Sequence, residues 1–498
     1  MAIEHFDVLI VGAGLSGIGA GHHLQVRCPD RSYAILEGRE RLGGTWDLFR
    51  YPGVRSDSDM YTLGYSFRPW TDAKAIADGP AILKYVQDTA RDHGIDKRIR
   101  YGHRVKRAAW STPEAQWTVE IEHGESNEPL RLSCNFLFMC SGYYRYDVGY
   151  TPGFACIENF KGRVVHPQHW TPDIAHANKR VVVIGSGATA VTLVPELAKT
   201  AAHVTMLQRS PTYVVARPSQ DGIANGLRRV LPGKLAYSLA RWKQVLLTMY
   251  FFNLCRRNPG RARWLLLGGV RAALGRDYDI AKHFTPRYNP WEQRLCLVPD
   301  GDLFKAIKSK RASVVTDEIH SFTETGLKLK SGAEIEADLV VTATGLNLLV
   351  LGGLQATVDG VLVDWTRTMS YKGLMFGGVP NLASSFGYTN ASWTLKCDLT
   401  CEYVCRVLNH MTAKGLRQAT PRNDDPAIEP QPWLDFSSGY VTRAMAAWPK
   451  QGSKAPWRLH QNYAMDLMSL KYAKLEDGTL KFSNPTPAKA KTRETVAA

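Results

Sequence analysis

The chain has 498 residues, 44% hydrophobic, 10% aromatic and 22% charged. These are ordinary globular values and exclude a disordered, fibrous or collagen-like chain. A single core rarely grows beyond about 250–300 residues, so two or three domains are expected. The 62 Lys+Arg against 46 Asp+Glu give a formal charge of +16, which raises nucleic acid, anionic membrane or phosphate-bearing ligands as partners.

Residues 1–7 lack the basic, apolar, small-residue order of a secretory signal. Nine cysteines, an odd number, fit reduced thiols in a cytoplasmic protein better than a disulfide framework. Residues 6–14 read as an apolar strand entering a glycine turn, 15–24 as a helix, and 33–36 as a strand closed by Glu37, together a βαβ unit. A helix is expected at about 80–93, strands at 99–105, 117–122 and 132–140, and an irregular linker at 149–170. A second strand, glycine turn, helix and strand occupy 181–207. Residues 222–283 read as helical, broken at Pro232, Pro259 and Gly260. Strands follow at 313–315 and 338–342, then a long helix at 392–411. Its Cys397, Cys401 and Cys405 are spaced as a buried apolar stripe; no metal site is expected.

Gly12-Ala13-Gly14-Leu15-Ser16-Gly17 lies between a strand and a helix. Its glycines allow a tight turn and close backbone approach to a pyrophosphate, which the helix N-terminus attracts. Glu37, twenty residues past Gly17 at the next strand end, suits a ribose diol. Gly185-Ser186-Gly187-Ala188-Thr189-Ala190 repeats the device, but its second strand ends in Gln208-Arg209-Ser210. Arg209 can pair with a 2′-phosphate and Ser210 can donate to it, so this site is expected to take NADPH. Two dinucleotide sites in one chain suggest hydride transfer from NADPH to a flavin. The predicted fold class is α/β, two Rossmann-like dinucleotide-binding domains with a helical insertion in the second. The expected parts are 1–148 for FAD, 149–220 for the linker and the start of the NADP domain, and 221–285 for the insertion. The remaining expected parts are 286–350 for the rest of the NADP domain, 351–480 for the rest of the FAD domain, and a flexible tail at 481–498.

Two further patterns are long. Phe160-x-Gly162-x3-His166-x3-Trp170 precedes the second nucleotide unit; Gly43-Gly44-Thr45-Trp46-x4-Tyr51-Pro52-Gly53-x3-Asp57 follows the first. Together they resemble the two fingerprints of type I Baeyer–Villiger monooxygenases. The resemblance runs to about residue 480 and is greatest to the ethionamide-activating branch. It includes Arg50-Tyr51-Pro52-Gly53, Tyr288-Asn289-Pro290-Trp291-Glu292-Gln293-Arg294 and Tyr388-Thr389-Asn390-Ala391-Ser392-Trp393. Thr171 replaces the usual Pro or Asp, and Gln293 stands where many members have a Lys, so NADPH selectivity leans on Arg209.

The resemblance implies an FAD- and NADPH-dependent enzyme that uses O2 to convert ketones to esters or lactones through a C4a-peroxyflavin, and that also oxidises sulfur in thioethers or thioamides. It places the catalytic cation at Arg294, held by Asp57. A permanent cation is what an anionic peroxide and a developing oxyanion require. It assigns Gly44, Thr45, Trp46, Asp47 and Leu48 to the FAD wall, Arg55, Ser56 and Asp57 to the meeting of flavin and nicotinamide, Ser16 to the pyrophosphate, and Val105 to the adenine. His166 is expected in an interdomain linker, in a structural role. Two alternatives stay open: an N- or S-oxidising flavin monooxygenase without ketone activity, and a membrane-attached flavin-binding protein without oxygenase activity.

The charge is not spread evenly. Residues 226–276 hold 11 Lys+Arg and no Asp or Glu, leaving 51 bases against 46 acids elsewhere. Nucleic acid is therefore not the expected partner. The apolar runs at 245–255 and 264–270 are too short to span a bilayer. They suit a helical insertion lying over the NADP fold, either with core-facing apolar stripes and a solvated basic face, or touching an anionic membrane or a second subunit.

Overall fold

The computed structural model describes residues 3–124, 126–434 and 436–485. β1 (Glu4–Val11), α1 (Leu15–Arg27) and β2 (Tyr33–Leu36) form the expected first unit. β1 is exposed where it begins and buried over its last four residues, so the strand is driven inward to the glycine turn. After it come α2 (Thr45–Leu48), α3 (Met60–Leu63), α4 (Gly79–Asp92) and strands β3 (Ile99–Arg100), β4 (His103–Ser111), β5 (Gln116–His123) and β6 (Glu128–Met139). Asp59 and Asp78 start α3 and α4 by accepting the amides of Thr62 and Ala81, which satisfies otherwise orphaned helix donors.

The second unit is β7 (Arg163–Val165), β8 (Arg180–Ile184), α5 (Ala188–Leu197), β9 (His203–Gln208) and β10 (Val214–Arg217). The expected linker at 149–170 is thus not wholly irregular: β7 pairs with a strand nearly 180 residues later, a partner invisible to local pattern. Next are α6 (Gly222–Val230), α7 (Gly233–Arg257), α8 (Pro259–Leu274), α9 (Ile280–His283), β11 (Cys296–Pro299), α10 (Asp302–Lys308) and β12 (Ala312–Thr316). A three-stranded antiparallel ladder, β13 (Ile319–Phe322), β14 (Gly326–Leu329) and β15 (Glu334–Glu336), leads to β16 (Leu339–Thr342). The chain then returns through β17 (Gln355–Val358), β18 (Val361–Leu362), β19 (Ser370–Tyr371), β20 (Met375–Phe376) and β21 (Leu382–Ser384) to α11 (Trp393–Ala413) and α12 (Gly439–Ala444).

Among the described residues the first sheet runs β18-β17-β4-β5-β6-β1-β2-β3, with β21 pairing parallel to β6. The second is parallel, in the order β12-β9-β8-β16-β7. Each sheet buries its own core, and ligands in such folds meet the carboxyl ends of the strands.

The structure changes three expectations. The insertion does not lie over the NADP fold alone. α8 packs there through Val270 and Leu274, whereas α7 sends Tyr237 and Ala240 into the FAD-side core. Arg241 is not on a solvated face: its Nη1 donates to the carbonyls of Tyr61 and Gly64, and its Nη2 lies 3.4 Å from Asp398. The tail expected at 481–498 begins too early, because Leu480–Ser483 pairs antiparallel with Gln418–Pro421; its residues 486–498 lie outside the described residues. Cys397, Cys401 and Cys405 are buried on α11. Burial pushes the Cys397 thiol up to about 12.

Candidate active site

A cavity of about 1170 Å³ lies between the carboxyl ends of the parallel strands of the two sheets, with Gly12, Glu37 and Cys140 on one wall and Gly185, Leu207 and Ala343 on the other. The first wall is backbone brought close by glycine. Gly12 has φ +105, and a Cβ there would meet the Cys140 carbonyl at 2.6 Å. Gly14 faces Gly44, whose φ is +56. A Cβ on Gly17 would lie 1.8 Å from the Gly12 carbonyl oxygen, so Gly17 closes the turn from behind and does not line the cavity. No side chain caps the N-terminus of α1, leaving its first amides for a ligand anion.

Ser16 lines the cavity and accepts from Trp393 Nε1 at 2.9 Å. Glu37 accepts the amides of Ala13 (2.8 Å) and Arg39 (3.0 Å), and its carboxyl is raised chiefly by burial. Thr45, Trp46 and Val105 complete this wall. Asp47 and Leu48, expected beside them, are not brought to it. Asp47 is buried outside the cavity, where it pairs with Arg39 (2.7 Å), Arg41 (3.3 Å) and Arg50 (2.7 Å), because α2 turns this side chain away from the side bearing Trp46.

The second wall repeats the first. Gly185 has φ +135 and a Cβ there would meet the Ala343 carbonyl at 2.3 Å, whereas a Cβ on Gly187 would have nothing within 4 Å. The N-terminus of α5 also lacks a side-chain cap. Ser186 Oγ donates to the Ser210 carbonyl at 3.0 Å and lies 2.9 Å from Thr212 Oγ1. Ala188, Thr189, Arg209 and Ser210 line the cavity with Gln293, but Ala190 is buried in the core behind the turn. Asp317 and Glu318 share the rim with Arg209; the Glu318 carboxyl is held down by Lys330 first and by Arg209 to a smaller degree.

Between the walls stands the one ion pair that sequence reasoning singled out. Arg294 Nε lies 2.9 Å from Asp57 Oδ2, with side chains 34% and 30% exposed. The Asn289–Glu292 turn delivers Arg294: Glu292 accepts the Asn289 amide at 2.9 Å, and Trp291 adopts φ +68. Asp57 holds the guanidinium protonated far above its ordinary range, against the opposing effect of burial, with Tyr143, Tyr440 and Tyr144 adding to it. Ser56 lies alongside; Arg55 Nη1 pairs with Asp302 at 2.5 Å, while its Nη2 is buried with no hydrogen-bond partner among the described residues.

The three tyrosines were missed by sequence reasoning. Tyr143 and Tyr144 hydroxyls lie 2.7 Å apart, and the Tyr143 ring stacks on Trp393 at 5.0 Å and 15°. Burial first, and neighbouring phenols second, push the Tyr143, Tyr144 and Tyr440 hydroxyls up, so they stay protonated. A signal existed for the first two, which follow the end of β6, one of the strand ends that face the cavity. Tyr440 arrives on α12 with no local motif. Asn390 does not line the cavity: its Nδ2 donates to the Gln461 carbonyl at 2.8 Å.

His166 lies outside the cavity lining with both nitrogens used. Nδ1 accepts the Gln168 amide at 3.2 Å, so Nε2 carries the proton and donates to the Gly345 carbonyl at 3.0 Å. Burial lowers its pKa, against that hydrogen bond. Its ring occupies the space a Cβ on Gly149 would need. Among the described residues no group of three or more His, Cys, Asp or Glu is placed to hold a metal.

A flavin-binding monooxygenase-like family model matches residues 65–242, and an NAD(P)-binding Rossmann-like domain model matches residues 10–77. The chain is 55% identical to the FAD-containing monooxygenase EthA of Mycobacterium tuberculosis, over 97% of this chain and 99% of that protein. It is 51% identical to the putative FAD-containing monooxygenase MymA of the same species, over 96% and 98%. A steroid monooxygenase solved with NADP superposes with a TM-score of 0.72 at 23% identity, covering 84% of this chain and 88% of that one, which establishes a shared fold.

Proposed function

From the premise that this chain belongs to the flavin-binding monooxygenase family, alongside EthA and MymA, we propose that it is an FAD-dependent, NADPH- and O2-consuming enzyme that converts ketones to esters or lactones and oxidises sulfur in thioethers or thioamides. The observation that carries this reading is the Asp57–Arg294 pair on the wall of a cavity shared by both glycine turns.

The residues fit the cofactors. Two uncapped helix N-termini face one cavity, each suited to a pyrophosphate. Arg55 Nη2 is a buried donor still lacking an acceptor among the described residues. FAD would be held by Gly12, Gly14, Ser16, Glu37, Gly44, Thr45, Trp46 and Val105; NADPH by residues 185–189, Arg209 and Ser210. Gly17 and Ala190 would act from behind, by letting each turn close.

When bound and reduced, the flavin supplies the electrons that activate O2 and delivers one oxygen atom to the substrate. Arg294 presents a cation that does not titrate in any useful pH range to the negative oxygen developing on the carbonyl carbon. Asp57 fixes its direction through a charge-assisted hydrogen bond. The Tyr143, Tyr144 and Tyr440 phenols, kept neutral by burial, line that place without adding negative charge. The reaction consumes one ketone, one O2, one NADPH and one proton, and yields one ester, one water and one NADP+.

The test is ketone-dependent NADPH consumption with ester detected in the extract, in wild type and Arg294→Ala. The variant should retain anaerobic reduction of bound flavin by NADPH and lose ester formation. Undiminished ketone oxidation would overturn the role of Arg294. Consumption stimulated by sulfides or amines but by no ketone would favour the N- or S-oxidising alternative.

A further inference from the structure

The outer face of the insertion is not the polar surface that a helix lying on a protein ordinarily shows. Along α7, Leu235, Leu239, Trp242, Leu246 and Tyr250 are between 41 and 67% exposed. Their spacings of four, three, four and four residues place them on one side of the helix, opposite the buried Tyr237, Ala240, Arg241 and Gln244. Leu247, off the stripe, is also exposed, and Trp264 on α8 is 73% exposed. The Tyr463 ring meets Trp242 edge-on at 5.7 Å, and the segment it begins exposes Met465, Met468 and Tyr472. Singly exposed apolar residues need no explanation, but a continuous stripe of this length does.

Charge identifies what covers it. Of the 11 Lys+Arg in residues 226–276, which hold no acid, Arg241 is buried against Asp398 and Lys243 is paired with Asp221; the surface charge comes from the others. Lys234 stands at the start of the stripe, and Arg257 continues the same helical face at its end; both are exposed, as are Arg229 and Arg261. A second copy in a two-fold contact would set this cluster against itself. No helix among the described residues is long and apolar enough to cross a membrane. A helix of 25 residues, about 37 Å long, with an apolar stripe flanked by bases, has the pattern of one lying in the plane of a lipid surface.

We propose that the exposed face of α7 and the adjoining segment from Tyr463 dock this protein on a bilayer bearing anionic headgroups. The inner side of the same helix connects that face to the cavity: Val245 packs with Tyr388 and Leu395, and Tyr388 lines the cavity. Apolar substrates dissolved in the bilayer would thus reach the protein one helix away from the site. The inference does not depend on which substrate is oxidised.

The test is co-sedimentation of the full-length, FAD-loaded protein with vesicles of phosphatidylcholine alone or mixed with phosphatidylglycerol, and light scattering in parallel. The protein should bind the mixed vesicles, bind phosphatidylcholine weakly, and dissociate as salt is raised. Leu239→Ser/Trp242→Ser/Leu246→Ser, and separately Arg229→Gln/Lys234→Gln/Arg257→Gln/Arg261→Gln, should each weaken vesicle binding by about tenfold or more, with unchanged melting temperature and flavin content. No binding of wild type to the mixed vesicles at physiological ionic strength would overturn the proposal. So would a wild-type oligomer that the triple variant converts to monomer without any vesicle binding, which would assign the face to a second copy. Should the triple variant fail to fold, the charge variant decides, since its four side chains are exposed.

Discussion

Replacing Asp57 by Asn removes the anion beside Arg294 and keeps the side chain's shape. Two unit charges about 4 Å apart interact by about 4 kcal/mol at an effective dielectric of about 20. The side chains are 34% and 30% exposed, so solvent screens part of this, and Asn still accepts one hydrogen bond. About 1.5–3 kcal/mol of guanidinium positioning remains to be lost, a fall of roughly 10- to 100-fold in ester formation. The loss should fall on one half of the cycle. Anaerobic stopped-flow reduction of bound flavin by NADPH should proceed at the wild-type rate, because the uncapped α5 turn and Arg209, which would hold NADPH, are left intact. Aerobically, the variant should consume NADPH but yield less ester per NADPH, the balance appearing as hydrogen peroxide. Asp57→Asn with unchanged ester yield would refute the reasoning. An equal loss in both half-reactions would show that the pair is holding the fold and not the reacting oxygen.

The two glycine turns contain a contrast that one methyl group can expose. Gly187→Ala, where a Cβ meets nothing within 4 Å, should fold with a normal melting temperature and bind NADP+ at least about tenfold more weakly; Gly17→Ala, with its Cβ 1.8 Å from a carbonyl oxygen, should yield protein without FAD or none at all, as read by flavin absorbance. For His166, whose Nε2 fastens the linker to the Gly345 carbonyl while Nδ1 accepts the Gln168 amide within the linker, His166→Ala should slow NADPH-driven flavin reduction while leaving the pH profile of ester formation unchanged, whereas loss of a basic limb from that profile would make it a proton carrier. His22 is lowered from 6.5 to about 4, by burial first and then by His23 and His93, so the folded state keeps it neutral. Its contribution is present above pH 6.5 and is lost as pH falls towards about 4, to a total of about 2–4 kcal/mol; thermal melts between pH 7.5 and 4.5 should show a smaller acid loss for His22→Gln than for wild type, and equal losses would contradict the assignment.

Both nucleotide units were legible because strand, glycine turn, helix and acid or Arg209 lie within about forty residues and obey local rules. The same locality explains what was not. Tyr440 reaches Arg294 across nearly 150 residues, and β7 finds β16 across a similar gap. Asp47 sits within a long fingerprint, yet proximity in sequence did not make it part of the wall; three arginines hold it elsewhere. Arg241 read as one of eleven surface bases because nothing in a helical pattern reveals that Asp398 waits on α11. Gly17 and Ala190 show a subtler limit, since a motif residue can be indispensable to a site without facing it.

The account's central claim is that one cavity joins NADPH, flavin and a carbonyl substrate beside Arg294. Mass analysis of the products formed by the FAD-loaded protein from NADPH, 18O2 and a panel of linear, cyclic and aryl ketones tests it directly. One labelled oxygen atom in the ester for each NADPH oxidised, lost in Arg294→Ala, is the predicted result. Ketones recovered unchanged, or esters carrying oxygen from water alone, would contradict it.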